Sequence, residues 1–131
     1  MKLLFFVIAS LILPNLAHSQ PRDENGWTTY LASQYRDTRK WEEQYRTPDG
    51  SYIDIVSPEI AYEVEWAPKH HEAVGQALFY SAVTGKRPGI ILLIKDPAKE
   101  QKYYLRTLVV AHKFNIKVIT VDTRFYPPRE N

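Results

Sequence analysis

The chain of 131 residues contains no cysteine. That absence excludes a disulfide framework, a thiol nucleophile and a thiolate zinc site, and leaves no cysteine for lipid attachment after an export signal. A Gly-x-Ser-x-Gly nucleophile elbow is missing too. Gly85-Lys86 lacks the upstream glycine and the following Ser or Thr of a phosphate-binding loop. His70 and His71 are adjacent, so on a helix they point about 100° apart and make poor joint ligands. Beyond Leu13 no apolar run approaches the roughly 20 residues that a membrane-crossing helix needs.

What is present begins with Lys2, an apolar run from Leu3 to Leu13, and the small-residue site Ala17-His18-Ser19. Charged region, hydrophobic region and cleavage site follow in the order of an export signal. Residues 1–19 therefore read as a signal peptide cut before Gln20, which predicts a secreted or periplasmic protein free of the membrane after cleavage. Residues 20–26 (QPRDENG) are polar and read as a flexible N-terminus. Residues 27–123 are expected to form one α/β domain, and 124–131 a tail. Net charge is only +2, but it is unevenly spread: residues 20–85 hold 6 Lys/Arg against 11 Asp/Glu, residues 86–131 hold 10 against 4. An acidic site facing a basic remainder suits a metal-dependent enzyme acting on a polyanion, although two ordinary solvated surfaces would give the same count.

Hydrophobic spacing predicts a first helix over 27–40 and a strand over 41–47 with Trp41, Glu43 and Tyr45 on one side. Pro48-Asp49-Gly50 is a turn leading into a strand over 51–56, and Ser57-Pro58-Glu59 is a second turn into a strand over 60–66. A helix should start at Pro68 and stop at Gly85. The continuous apolar run 90–94 reads as a strand buried on both faces. Asp96-Pro97 caps a helix to about Phe114 with Tyr104, Leu105, Leu108, Val109 and His112 along one side, and 116–121 reads as a final buried strand. The expected order is α-β-β-β-α-β-α-β, a mixed β-sheet flanked by helices.

The chemistry concentrates between Gly50 and Tyr80. If Pro58 and Glu59 are the central turn residues, Ser57 faces Ile60 and Asp54 falls opposite Glu63. Their Cβ atoms would then lie about 4.5–5.5 Å apart, close enough to share one Mg²⁺. Glu65 shares the face of Glu63 by strand alternation. Clustered carboxylates repel and raise one another's pKa, and a hard divalent cation is the commonest remedy. The exposed polar side of an ordinary hairpin is the alternative. On the following helix Lys69, Glu72, Gln76 and Tyr80 form one stripe, which by itself is the pattern of a solvated face.

Taken together these residues resemble the PD-(D/E)xK nuclease superfamily, with its restriction-endonuclease-like fold. The resemblance rests on a glycine-led strand ending in Asp (Gly50-Ser-Tyr-Ile-Asp54), an acidic pair on the next strand (Glu63-Val-Glu65), and a helix with Gln76-x-x-x-Tyr80. It covers about residues 28–121. It implies metal ligation by Asp54, Glu63 and Glu65, with Mg²⁺ or Mn²⁺ as cofactor. It also implies that Gln76 and Tyr80 position the site or touch the nucleic-acid backbone. Glu65 stands where the family usually has a catalytic lysine, and Lys69 is the relocated candidate for that role. Glu42 and Glu43 are weaker candidates. Arg46, Lys69, Lys86 and Arg87 would engage phosphates without reading sequence. DNA is expected ahead of RNA, and a homodimer is compatible with the family. Three readings stay open: a metal-dependent nuclease, a catalytically inactive relative binding nucleic acid or a protein partner, and an envelope binding module.

Overall fold

The computed structural model describes residues 21–125. The expected signal peptide and the end of the expected tail (126–131) lie outside the described residues. Helix α1 spans Glu24–Arg39, and the Asp23 carboxylate caps it by accepting a hydrogen bond from Gly26 N at 2.8 Å. Such a cap satisfies a first-turn N–H that has no partner inside the helix. The helix therefore starts ahead of the expected Trp27, and residues 23–26, expected to be flexible, form its cap and first turn. Glu24, Trp27, Thr28 and Leu31 make one helical stripe, whose last three members are buried.

Strands β1 (Glu42–Arg46) and β2 (Tyr52–Val56) pair antiparallel around the Pro48-Asp49-Gly50 turn. Gly50 has φ of 87°, a conformation that other residues rarely adopt, and Asp49 braces the turn by accepting from Ser51 N, Ser51 Oγ and Thr47 Oγ1. Within β1, Gln44 takes φ of 54°. That left-handed residue breaks the alternation expected for Trp41, Glu43 and Tyr45: Trp41 is buried, whereas Tyr45 is exposed. Strand β3 (Ile60–Trp66) pairs antiparallel with β2 in the register Ile55↔Tyr62 and Val56↔Ala61, which follows from Ser57 N donating to Ile60 O at 2.9 Å.

A 3-10 turn, Ala67–Lys69, holds Pro68, so the α-helix expected from Pro68 begins two residues later as α2, His70–Thr84. It ends at Gly85, whose φ is 70°. Strand β4 (Arg87–Ile94) lies parallel to β3 and is buried from Pro88 onward. Helix α3 (Pro97–Phe114) is capped by Asp96, which accepts from Ala98 N and Lys99 N. Buried Glu100 reaches back to accept from Lys95 N at 2.6 Å and Asp96 N at 2.9 Å, so both ends of that connection are hydrogen-bonded. Strand β5 (Lys117–Asp122) runs parallel to β4.

The sheet order is β1-β2-β3-β4-β5. Helix α1 covers one face, packing Trp27 and Leu31 with Ile55, Tyr62, Val64, Ile91 and Leu93. Helices α2 and α3 cover the other, packing Ala73, Ala77 and Ala111 with Ile90, Leu92 and Ile116. The fold is thus α/β, a five-stranded mixed sheet with three helices among the described residues. Two expectations are corrected. Strand β5 is an edge strand and only half-buried, because no further strand covers its outer side. On α3, Leu105, Leu108, Val109 and His112 face outward; Tyr104, Thr107 and Ala111 turn toward the sheet, where small side chains let the helix approach closely.

Candidate functional site

Along β3, Glu63 and Glu65 alternate with Tyr62, Val64 and Trp66, so both carboxylates point to the α2 side of the sheet. Both are buried, at 5 % and 6 % exposure. Burying a charged carboxylate is strongly unfavourable unless something compensates it. The backbone ladder between β2 and β3 ends at Ile55↔Tyr62, and beyond it the Asp54 carboxylate accepts from Val64 N at 2.9 Å. A side chain, not the backbone, therefore ties the strands at this level, and the fork between them holds Asp54 beside Glu63.

A fourth carboxylate arrives from outside the hairpin. Glu24, in the first turn of α1, lies against Glu65, and the two share a hydrogen bond. Carboxylate oxygens of Glu24, Glu63 and Glu65 all fall within 4.8 Å of one another. Hard divalent cations sit about 2.0–2.6 Å from each oxygen, so oxygens around one ion are at most about 4–5 Å apart. The three residues fit such an ion. A second observation points the same way: Glu63 Oε2 is buried and has no hydrogen-bond partner among the described residues.

The cluster's protons report the same strain. Burial is the main reason that the Glu63 carboxyl is pushed up to about 9; the Asp54 charge and a proton shared with Asp54 add to it, while the nearby Tyr80 hydroxyl opposes. Glu24 is pushed up to about 8, first by burial, then by its hydrogen bond to Glu65 and the charges of Glu65 and Asp54; Lys69 pulls the other way. Asp54 is raised by burial, against the Val64 N–H and Glu63 hydrogen bonds that lower it. Burial and the same carboxylates raise the Tyr80 phenol. Burial and the mutual carboxylate charges thus favour the protonated forms of Glu24 and Glu63.

The sequence candidates separate accordingly. Glu63 and Glu65 belong to the three-oxygen cluster; Asp54 borders it through Glu63. Tyr80, buried on α2, faces Glu63, and exposed Lys69 lies near enough for its charge to act on Glu24. Gln76 is on the exposed side of α2. Arg46 stands beside the Gly50 turn, where a Cβ on that glycine would lie 3.8 Å from the Arg46 guanidinium. Lys86 and Arg87 are engaged elsewhere: Lys86 Nζ donates to Ser57 O at 3.1 Å and Pro58 O at 2.8 Å, and Arg87 Nε donates to Asn115 O at 3.0 Å. Glu24 is the member that sequence reasoning missed. Its signal was Asp23 as an N-cap ahead of the Glu24-Trp27-Thr28-Leu31 stripe. A cavity of 410 Å³ between α1 and β5 is separate from the cluster, with Asp122 the only acid in its lining.

No protein-family model, curated protein or solved structure matches this chain.

Proposed function

We propose that the chain is a metal-dependent phosphodiesterase acting on nucleic acid, DNA ahead of RNA, built on a restriction-endonuclease-like sheet. The observation that carries this reading is Glu63 Oε2, a buried carboxylate oxygen with no partner, set within reach of Glu24 and Glu65. Glu24, Glu63 and Glu65 would hold Mg²⁺ or Mn²⁺. A bound ion of that kind stabilises charge on a phosphoryl oxygen and lowers the pKa of a bound water. Asp54, already committed to Val64 N–H, braces the fork and keeps Glu63 oriented. Tyr80 directs its hydroxyl at Glu63 from α2. Lys69 supplies the nearby positive charge, available to a substrate phosphate. Export through residues 1–19 belongs to the same proposal.

The test is cleavage of labelled DNA with Mg²⁺ or Mn²⁺ by the chain beginning at Gln20. Wild type should cleave only with a divalent cation, and Glu63→Gln and Glu24→Gln should each lose roughly 10–100-fold or more. Glu63→Gln cleaving like wild type would refute the assignment. One observation favours a second reading, an inactive relative that binds nucleic acid. Glu65, at the family's lysine position, is buried and has Oε1 engaged by Trp66 N at 2.8 Å. DNA binding without cleavage in any divalent cation would support that reading.

A further inference from the structure

Among the described residues, helix α1 alone covers one face of the sheet, whereas α2 and α3 share the other. The buried stripe of α1 packs over β2, β3 and β4. The edge strand β5 turns Ile119 and Val121 to the same face, but both stay half-buried. The space left between α1 and that edge is the cavity of 410 Å³. Small-molecule sites span about 300–1,000 Å³, so the cavity has the size of one. Glu24, Glu63 and Glu65 take no part in its lining.

Its walls are mostly apolar: Trp27, Tyr35, Trp41 and Phe125 supply rings, and β5 supplies Ile119 and Val121. Two charged side chains line it, Asp122 and Arg39. Asp122 is already matched, because Arg124 donates to it from Nε at 2.9 Å and from Nη2 at 2.7 Å. Arg39 is not. Among the described residues the ion pairs are Lys99–Asp96 and Arg124–Asp122, and neither includes it. Its guanidinium instead lies over two rings, 4.9 Å from the centre of Tyr35 and 5.5 Å from that of Trp41. Such stacking engages the face of the guanidinium, whereas its N–H donors lie in its plane. An apolar cleft with one unmatched cation selects an apolar molecule carrying one negative charge.

We infer that this cleft binds a small planar aromatic carboxylate, with its ring among Trp27, Trp41, Ile119 and Val121 and its carboxylate on Arg39. The planar guanidinium fork matches the two oxygens of a carboxylate. A flat ring is favoured over an aliphatic chain because it can meet the surrounding rings in offset or edge contacts. The inference stands apart from the phosphodiesterase reading, since the cleft and the carboxylate cluster share no residue.

Calorimetric titration of 2-naphthoate into the purified protein tests this, with 2-naphthylmethanol as the neutral analogue and decanoate as the aliphatic one. Naphthoate should bind at a single site, about tenfold or more tighter than either analogue. Arg39→Gln should lose the preference for naphthoate over the alcohol while binding the alcohol as wild type does, which a merely structural role would not produce. Ile119→Trp fills the cleft and should bind neither. Arg39 is exposed, so its replacement should leave the circular dichroism unchanged, and the same measurement checks Ile119→Trp. No naphthoate binding by wild type, equal or tighter binding of the alcohol or of decanoate, or wild-type naphthoate affinity in either variant would each overturn the inference. So would binding that appears only once residues 126–131 are removed, or only on dissociation of a dimer, because the tail or a second copy would then be the occupant.

Discussion

Glu63 and Glu24 are both pushed by burial far above the ordinary carboxyl range. In the unfolded chain both titrate near 4.5; in the folded protein they hold on to about 9 and about 8. Between those values the unfolded state binds fewer protons than the folded one, so stability falls as pH rises. His70 works oppositely at lower pH. Burial and the His71 charge depress its pKa below 6.5, so its contribution is complete above that value and lost below it. The carboxylate effect is therefore cleanest from about pH 6.5 to about pH 8.5. Over that window the thermal midpoint of the metal-free protein should decline, and Glu63→Gln should decline less steeply. A midpoint that stays flat or rises in the wild type would mean that burial does not raise these two carboxyls. Asp54 shows what a residue type and a register can reveal: its position opposite Glu63 follows from the Ser57-to-Ile60 turn. Its bond to Val64 N–H could not be read from spacing, since it depends on where the ladder between β2 and β3 stops.

At the scale of elements, β3 and β4 lie side by side in parallel register, and Gly89 leaves room there for the Tyr62 ring. Gly89 pairs with Tyr62, and a Cβ built there would lie 2.7 Å from both Ile60 Cγ2 and Tyr62 Cε1. The Tyr62 ring covers the glycine, and Tyr62 also packs on Trp41 at 5.2 Å between ring centres. Gly89→Ala should thus destabilise by about 1–3 kcal/mol, as overpacked cores do. Chemical denaturation measures this, and a variant as stable as wild type would show that Tyr62 can move aside. Elements with strong local signals were legible. Gly85 ends α2, Asp96-Pro97 opens α3, and the apolar run of β4 is buried. Elements whose exposure depends on neighbours were not. Leu105, Leu108 and Val109 look like a packing stripe, but α3 rests on an edge strand and turns Thr107 and Ala111 inward instead. The start of α1 was hidden because polarity around Asp23 and Glu24 resembles a loose terminus as much as a helix cap.

For the whole molecule, the sheet divides labour between its faces. The α1 side holds a continuous aromatic and aliphatic core around Trp27, Trp41 and Tyr62, while the α2 side gives up core positions to Glu63 and Glu65. Placing acids at buried positions of a central strand lowers stability, which fits a site kept for binding rather than for packing. An ion held by Glu24, Glu63 and Glu65 would join α1 to β3, so binding should stabilise the whole domain by mass action. Heating in saturating Mn²⁺ should give a higher midpoint with less pH dependence than in chelator; identical curves would contradict this. The most direct measurement is calorimetric titration of Mn²⁺ into metal-free protein at about pH 7.5, below the raised values of Glu24 and Glu63, repeated in buffers of different ionisation enthalpy. Wild type should bind one ion and release protons as it does so, and Glu63→Gln and Glu24→Gln should each bind at least about tenfold more weakly. No binding by wild type, or equal binding by the variants, would contradict the assignment of this cluster as a metal centre.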